Sequence, residues 1–284
     1  MSPTRFLAAL FVAAWAAPAS LPFGAEVERL VPENLFLRTS MDPKTRAYYY
    51  APPAGRAAPG GRGARSGPEG ASAGTARRGA EPPIPVILLS GAWGWRPLMQ
   101  DSASYLAATG RAVLGIDAPG YFKRVVAGPD LASDLRTFRE ALNERAGQAA
   151  GAPILLAGFD YGAEMIPYVL NRAGSEGVLG LLLVAPTRTG SAVYRPAILL
   201  DLPTPEDERF VTADEFRGLE PLPAVVVHGT LDRVSPAREI VPLLRGPSRY
   251  IRVRGGDHNF KEVRDDYMRH LSDSLRWLEG RGAR

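Results

Sequence analysis

From Ile84 onward, short unbroken apolar runs alternate with longer stretches in which apolar residues return every three or four positions. Val86-Ile87-Leu88-Leu89, Val113-Leu114-Gly115-Ile116-Asp117 and residues 154–157, 179–185, 224–227 and 250–253 read as strands. Residues 98–109, stopping at Gly110, read as a helix. So do residues 129–148, where Leu131, Leu135, Phe138, Leu142 and Ala146 share one face. The chain closes on an amphipathic helix with Val263, Tyr267, Leu271, Leu275 and Leu278 on its apolar side. Strands that are apolar at every position belong to a parallel sheet covered on both faces by helices. The expected class is therefore α/β, a mostly parallel sheet with helices on both faces. Upstream, residues 35–38 and 47–50 read as two strands joined by the turn Met41-Asp42-Pro43-Lys44. Within the segment 26–50 they would form an antiparallel edge of that sheet.

Composition changes this picture in two places. Residues 51–83 are Gly, Ala, Pro, Arg and Ser without a large apolar side chain, and are expected to form a disordered insert. At the N-terminus, Arg5 precedes the apolar run Phe6 to Ala16 and the small residues Ala17-Pro18-Ala19. That is the layout of a secretory signal peptide over residues 1–19 and predicts a periplasmic or secreted protein. The globular core is then expected over 84–284. The net charge is +4, but the insert carries five Arg against two Glu and the leader adds Arg5, so the remainder balances to zero. The basic pI is therefore no sign of a nucleic-acid face. The chain has no Cys, which excludes disulfides, a thiol nucleophile and thiolate metal sites. No metal or other cofactor is expected.

Candidate chemistry falls just after the strands, at the edge where sites in parallel sheets lie. Residues 154–157 run into Gly158-Phe159-Asp160-Tyr161-Gly162 and then a helix. A strand, a Gly-x-nucleophile-x-Gly turn and a helix make the nucleophile elbow of the α/β-hydrolase fold, with Asp160 where Ser is usual. Ser90-Gly91-Ala92-Trp93-Gly94-Trp95 follows an earlier strand; Ala92 and Tyr161 are the expected oxyanion-hole N–H donors. Trp93 and Trp95 read as packing over the sheet edge. Asp232 follows the next-to-last strand as the expected acid, and His258 follows the last strand, after Gly255-Gly256, as the expected base. Asp160, Asp232 and His258 keep the chain order nucleophile, acid, histidine. His228 reads as structural and His270 as a surface residue. Residues 186–223, short and rich in Pro and charge, would make a minimal cap.

These stretches also resemble the VirJ/AcvB virulence proteins, exported α/β-hydrolases of Gram-negative bacteria. The likeness runs from about Val86 to Phe260. It includes Leu89 to Trp95, Val113 to Asp117 with Tyr121-Phe122, Asp130 to Leu135, the turn with its tail Gly162-Ala163-Glu164-Met165-Ile166-Pro167, and Gly255 to Phe260. Pro167 inside a helix is a specific marker. The resemblance implies hydrolysis of aminoacyl-phosphatidylglycerol and support of type IV secretion. Two residues depart from the family pattern: Asp160 replaces its Ser, and Glu164 replaces its Asp.

An Asp attacking an acyl carbon leaves an unstable anhydride, whereas attack at a saturated carbon leaves an alkyl ester that a His-activated water can hydrolyse. The leading expectation is hydrolysis of an ester, an aminoacylated phospholipid being the candidate, through Asp160, Asp232 and His258. A non-catalytic periplasmic binding or secretion-accessory protein is the alternative, and an Asp-nucleophile dehalogenase or epoxide hydrolase the third reading. Compatible partners are a lipid headgroup or small ester as substrate, a secretion-system or envelope protein, and a membrane touched peripherally; nucleic acid is not expected.

Overall fold

The structure is a computed structural model and describes residues 30–53, 83–200 and 202–282. The expected leader lies outside these residues, as does the 51–83 insert apart from its ends. In chain order the elements begin with β1 (Glu33–Leu37), β2 (Thr45–Tyr50), β3 (Val86–Leu89), α1 (Pro97–Ala108), β4 (Val113–Ile116), α2 (Ala118–Tyr121), α3 (Gly128–Arg145), β5 (Ile154–Phe159) and α4 (Tyr161–Ala173). They continue with β6 (Val178–Val184), β7 (Thr189–Ser191), β8 (Arg209–Val211), α5 (Thr212–Gly218), β9 (Ala224–Gly229), α6 (Ala237–Ile240), β10 (Ser248–Val253) and α7 (Arg264–Gly282).

Eight strands form one sheet in the order β1-β2-β4-β3-β5-β6-β9-β10. β1 pairs antiparallel with β2, and β2 antiparallel with β4, so the upstream hairpin does form the antiparallel edge. All other pairings are parallel. Alternating side chains split the core into two layers, as the strand repeat requires. Ile87 and Leu89 face Leu131, Phe138 and Leu142 of α3 and Ile166 of α4. Val86 and Leu88 face Met99 and Leu106 of α1 and Leu271 and Leu275 of α7. Every residue of β3, β4 and β5 is buried, which is why these strands read as unbroken apolar runs.

Some boundaries shift for local reasons. Helix α3 ends at Arg145 rather than running to 148, because Gly147 adopts φ +66 and closes the helix. Helix α1 starts at Pro97, whose missing N–H is harmless in the first turn. Pro167 does lie inside α4, buried. The 186–223 stretch is not a helical lid. Its β7–β8 ribbon lies along α4, with Phe210 stacked on Tyr168 at 4.9 Å, so the carboxyl edge of the sheet stays open. Among the described residues, no helix is long and apolar enough to cross a membrane.

Candidate active site

The turn between β5 and α4 is set by two close approaches. A Cβ on Gly158 would lie 2.5 Å from the Gly162 carbonyl oxygen, and one on Gly162 would lie 2.6 Å from the carbonyls of Leu89 and Ser90. Only glycine permits that packing. Asp160, between them, is held at φ 50, ψ −118, a strained backbone for a residue with a side chain. Its N–H donates to the Val184 carbonyl at 2.8 Å, which locks the turn to β6. The other non-glycine residues with positive φ among the described residues are Ala185 and Phe260. They follow β6 and His258, so the strain is gathered around one point.

The structure brings Asp160, Asp232 and His258 together at the carboxyl edge. His258 Nδ1 donates to Asp232 Oδ2 at 2.9 Å, and His258 Nε2 lies 3.4 Å from Asp160 Oδ1. The Asp232 side chain is fully buried, and its Oδ1 accepts the N–H groups of Val234 (2.8 Å) and Ser235 (3.2 Å). The side chains of Asp160 and His258 retain 13 % and 22 % exposure, so a molecule at the open edge can reach them.

The two expected oxyanion donors also sit here, but one already has a partner. The Ala92 N–H donates to Asp160 Oδ2 at 3.0 Å. Tyr161 opens α4, so its N–H is among those a helix leaves without an internal acceptor. With Ser in the turn, the hole would await the oxygen of a substrate. Asp160 supplies its own.

Electrostatics follow from this crowding. Burial alone would pull the His258 imidazole down, but hydrogen bonds to Asp160 and Asp232 and their charges outweigh it and push it up to about 10. At neutral pH the ring is therefore an imidazolium held between two carboxylates. Burial works against ionisation of Asp232 as well, yet the His258 contact and the two backbone donors hold it below the usual carboxylate range.

Glu164, noted above only as a departure from a family pattern, proves to be part of the site. It lies one helical turn beyond Asp160, fully buried, and its Oε1 accepts the Thr187 N–H at 3.0 Å and the Thr187 hydroxyl. No ion pair reaches it among the described residues. Burial, and then the Asp160 charge, push its carboxyl well above the usual range, so it stands as a neutral acid. Its i, i+4 spacing from Asp160 was readable. Its partner Thr187 comes from the stretch after β6 and was not. Tyr194 was missed for the same reason. Its ring packs edge-on against Tyr161 at 5.7 Å, and burial followed by the Asp117 and Asp160 charges raises its phenol, keeping an O–H donor near the site.

The remaining candidates are placed as follows. Trp95 stacks on Tyr48 at 5.0 Å and donates to the Tyr50 hydroxyl at 3.2 Å, a packing role as expected. Trp93 does not pack and stands in solvent, because the turn at Gly94 (φ +76) separates the two indoles. His228 Nδ1 pairs with the Tyr250 hydroxyl at 3.0 Å, outside the cluster. His270 is half-buried on α7 rather than exposed, as the helix turns it partly inward. Among the described residues, no group of His, Asp or Glu could hold a metal ion.

Comparison with solved structures gives the same architecture. Est1E from Butyrivibrio proteoclasticus matches with a TM-score of 0.56 and 14 % identity, over 87 % of this chain and 99 % of that one. The esterase domain of a Rhodothermus marinus protein matches with a TM-score of 0.57 and 14 % identity, over 88 % and 99 %. An α/β serine hydrolase without a lid from Xanthomonas campestris matches with a TM-score of 0.51 and 16 % identity, over 87 % and 94 %. At such identities the likeness establishes the α/β-hydrolase fold. A search of curated proteins finds no match. The family model described as bacterial virulence protein (VirJ) matches residues 84–277. With that span covering the sheet from β3 onward and every residue of the Asp160 cluster, the chain belongs to the VirJ family.

Proposed function

We propose that this protein is an exported hydrolase that cleaves an ester through a covalent intermediate on Asp160. The observation that carries the reading is the split use of the Asp160 carboxylate, with Oδ2 on the Ala92 N–H and Oδ1 facing His258. A hole filled by the residue's own oxygen is poorly placed to stabilise charge on an external acyl group. It is well placed to stabilise charge on an ester formed at Asp160 itself.

The sequence of bonds is then as follows. Asp160 Oδ1 attacks the alcohol-side carbon of the ester, and the substrate's carboxylate leaves with both of its oxygens. Asp160 is now an alkyl ester without charge. His258 has lost one of its two carboxylates, its pKa falls, and its Nε2 proton is released to solvent. A water gives its proton to Nε2 and attacks Cγ of Asp160, with the negative charge developing on Oδ2 against Ala92 and Tyr161 N–H. Collapse expels the alcohol, which takes the proton back from His258, and the acid proton left on Asp160 passes to His258 Nε2, so that the carboxylate and the imidazolium are both restored.

The acidic surroundings of the site favour an ester bearing a positive charge. Asp160 and Asp232 face a single imidazolium, and Asp117 lies after the neighbouring strand β4. Together with the family resemblance this points to an aminoacylated phospholipid as substrate. A second reading, a non-catalytic binding module, is favoured by a different fact: Ala92, Asp160, His258 and Asp232 are one another's partners.

Turnover of aminoacyl-phosphatidylglycerol in water labelled with heavy oxygen separates the possibilities. Over many turnovers the proposed route places label in the released alcohol and on Asp160. Attack on the acyl carbon places it in the released amino acid and sinks the alkyl-ester route. Absence of both turnover and Asp160 labelling leaves the binding module.

A further inference from the structure

The exposed apolar residues of this protein are not scattered at random. Nine large ones are exposed among the described residues, and two of them, Val31 and Phe36, lie at or near the β1 edge. Of the other seven, Trp93 follows β3, Val125 lies beyond β4, and Leu231 and Val234 follow β9, at the carboxyl ends of those strands, while Leu200, Leu202 and Val211 belong to the 186–223 stretch. Three of them border the reactive cluster directly. Trp93 (61 % exposed) follows Ala92, which holds Asp160, while Leu231 (65 %) and Val234 (57 %) flank Asp232.

Cations are interleaved with these tips. Arg96, Lys123, Arg124 and Arg233 are exposed in the same loops, and none is in an ion pair among the described residues. The Arg96 side chain is anchored beside the indole by its Nε donating to the Trp93 carbonyl at 3.1 Å. By contrast, the arginines in the stretch after β6 are spent on local carboxylates, Arg188 on Glu239 and Arg195 on Glu208.

We propose that the carboxyl edge is a docking surface for an anionic lipid bilayer, with Trp93, Leu231 and Val234 entering the interfacial layer and Arg96, Lys123, Arg124 and Arg233 resting against headgroups. A protein partner would call for a contiguous, closely packed apolar centre. Here the apolar side chains are separate tips on two loops, Trp93 with Arg96 after β3 and Leu231 and Val234 with Arg233 after β9. That arrangement suits the interfacial layer, where an indole sits at headgroup level and basic side chains meet anionic lipid. Asp160 opens between the tips, so an amphiphile in the bilayer would reach it without leaving the membrane. The docking does not depend on the chemistry at Asp160 and is measurable in its absence.

The test is co-sedimentation of the full chain with phosphatidylcholine vesicles, with and without phosphatidylglycerol, followed by tryptophan emission. The expected result is binding that requires phosphatidylglycerol, weakens with salt and is unchanged in Asp160→Asn. A combined Trp93→Ser, Leu231→Ser, Val234→Ser variant should bind roughly tenfold more weakly, and Trp93→Phe should remove the vesicle-induced blue shift while leaving binding. Arg96→Gln with Arg233→Gln should weaken binding mainly at low salt. Val31→Ser, altering an exposed residue on the side of the sheet where β4 begins, should have no effect, and thermal unfolding of each variant shows that it is folded. Equal binding of the triple variant and the wild type would overturn the proposal, since contact would then come from another part of the chain. So would indifference to vesicles, or a concentration-dependent dimer that the triple variant loses.

Discussion

His258 has a carboxylate on each side, and the protein treats the two differently. Asp232 is sealed from solvent, and both of its oxygens are occupied, one by the imidazole at 2.9 Å and one by two backbone N–H groups. Asp160 keeps some exposure, sits on a strained backbone, and lies farther from the ring, at 3.4 Å. One side is fixed on every atom, which suits a group that orients the ring. The other is held by one oxygen on the Ala92 N–H and only loosely, at 3.4 Å from the imidazole, by the second, which suits a group that reacts. Residue type does not separate these roles; the number of donors and the access of solvent do.

The largest expected effect comes from the reactive side. Asp160→Asn should lower turnover of aminoacyl-phosphatidylglycerol by about a thousandfold or more. Asp160→Ser, which frees the Ala92 N–H, should move heavy oxygen from the alcohol to the released acid; label that stays in the alcohol would break the contrast drawn here.

His258→Gln should leave the first step intact and stop the second. The alkyl ester on Asp160 should then accumulate to about one per chain, read by mass spectrometry of the Asp160 peptide. An unmodified peptide under single-turnover conditions would count against covalent attack.

The orienting side should show mainly in stability. Asp232→Asn removes a buried partner of a buried imidazolium and should cost about 3 kcal/mol in chemical denaturation. An exposed pair such as Arg188 with Glu239 should cost well under 1 kcal/mol when broken by Arg188→Gln.

The charged network also fixes a pH dependence. His258 titrates near 6.5 when unfolded and at about 10 when folded. The stability it adds is fully present below pH 6.5 and is lost as pH rises through about 10. The total is on the order of 3–5 kcal/mol. The melting temperature should fall across that window in the wild type and fall less in His258→Gln.

The smallest effect should be that of Glu164→Gln. A neutral acid replaced by its amide keeps its shape and its acceptor for Thr187, so below the ordinary Glu range, where Glu164 is protonated in the folded and unfolded chain alike, stability should change by less than about 1 kcal/mol. Glu164→Ala, which leaves the Thr187 donors without their acceptor, should cost about 2 kcal/mol. The raised Glu164 pKa costs stability progressively above the ordinary Glu range, so Glu164→Gln should gain on the wild type as pH rises. A downward shift of the His258 titration in Glu164→Gln, followed by NMR, would show instead that Glu164 carries charge.

Local chemistry was enough to read much of this protein. Unbroken apolar runs identified β3, β4 and β5, because strands buried on both faces admit no polar alternation. The Gly158–Gly162 spacing marked the tight turn, because only glycine survives contacts of 2.5 and 2.6 Å. The order of Asp160, Asp232 and His258 at strand ends was enough to bring them together, since parallel strands deliver their carboxyl ends to one edge. Tertiary structure alone decided the rest. Thr187 and Tyr194 reach the site from a Pro-rich stretch with no repeat to reveal its path. The occupation of the Ala92 N–H by Asp160, and the imidazolium that results, depend on distances set by the packing of β3 against β5. A sequence names the groups that can react. The charge each one carries is set by neighbours that are close in space and distant along the chain.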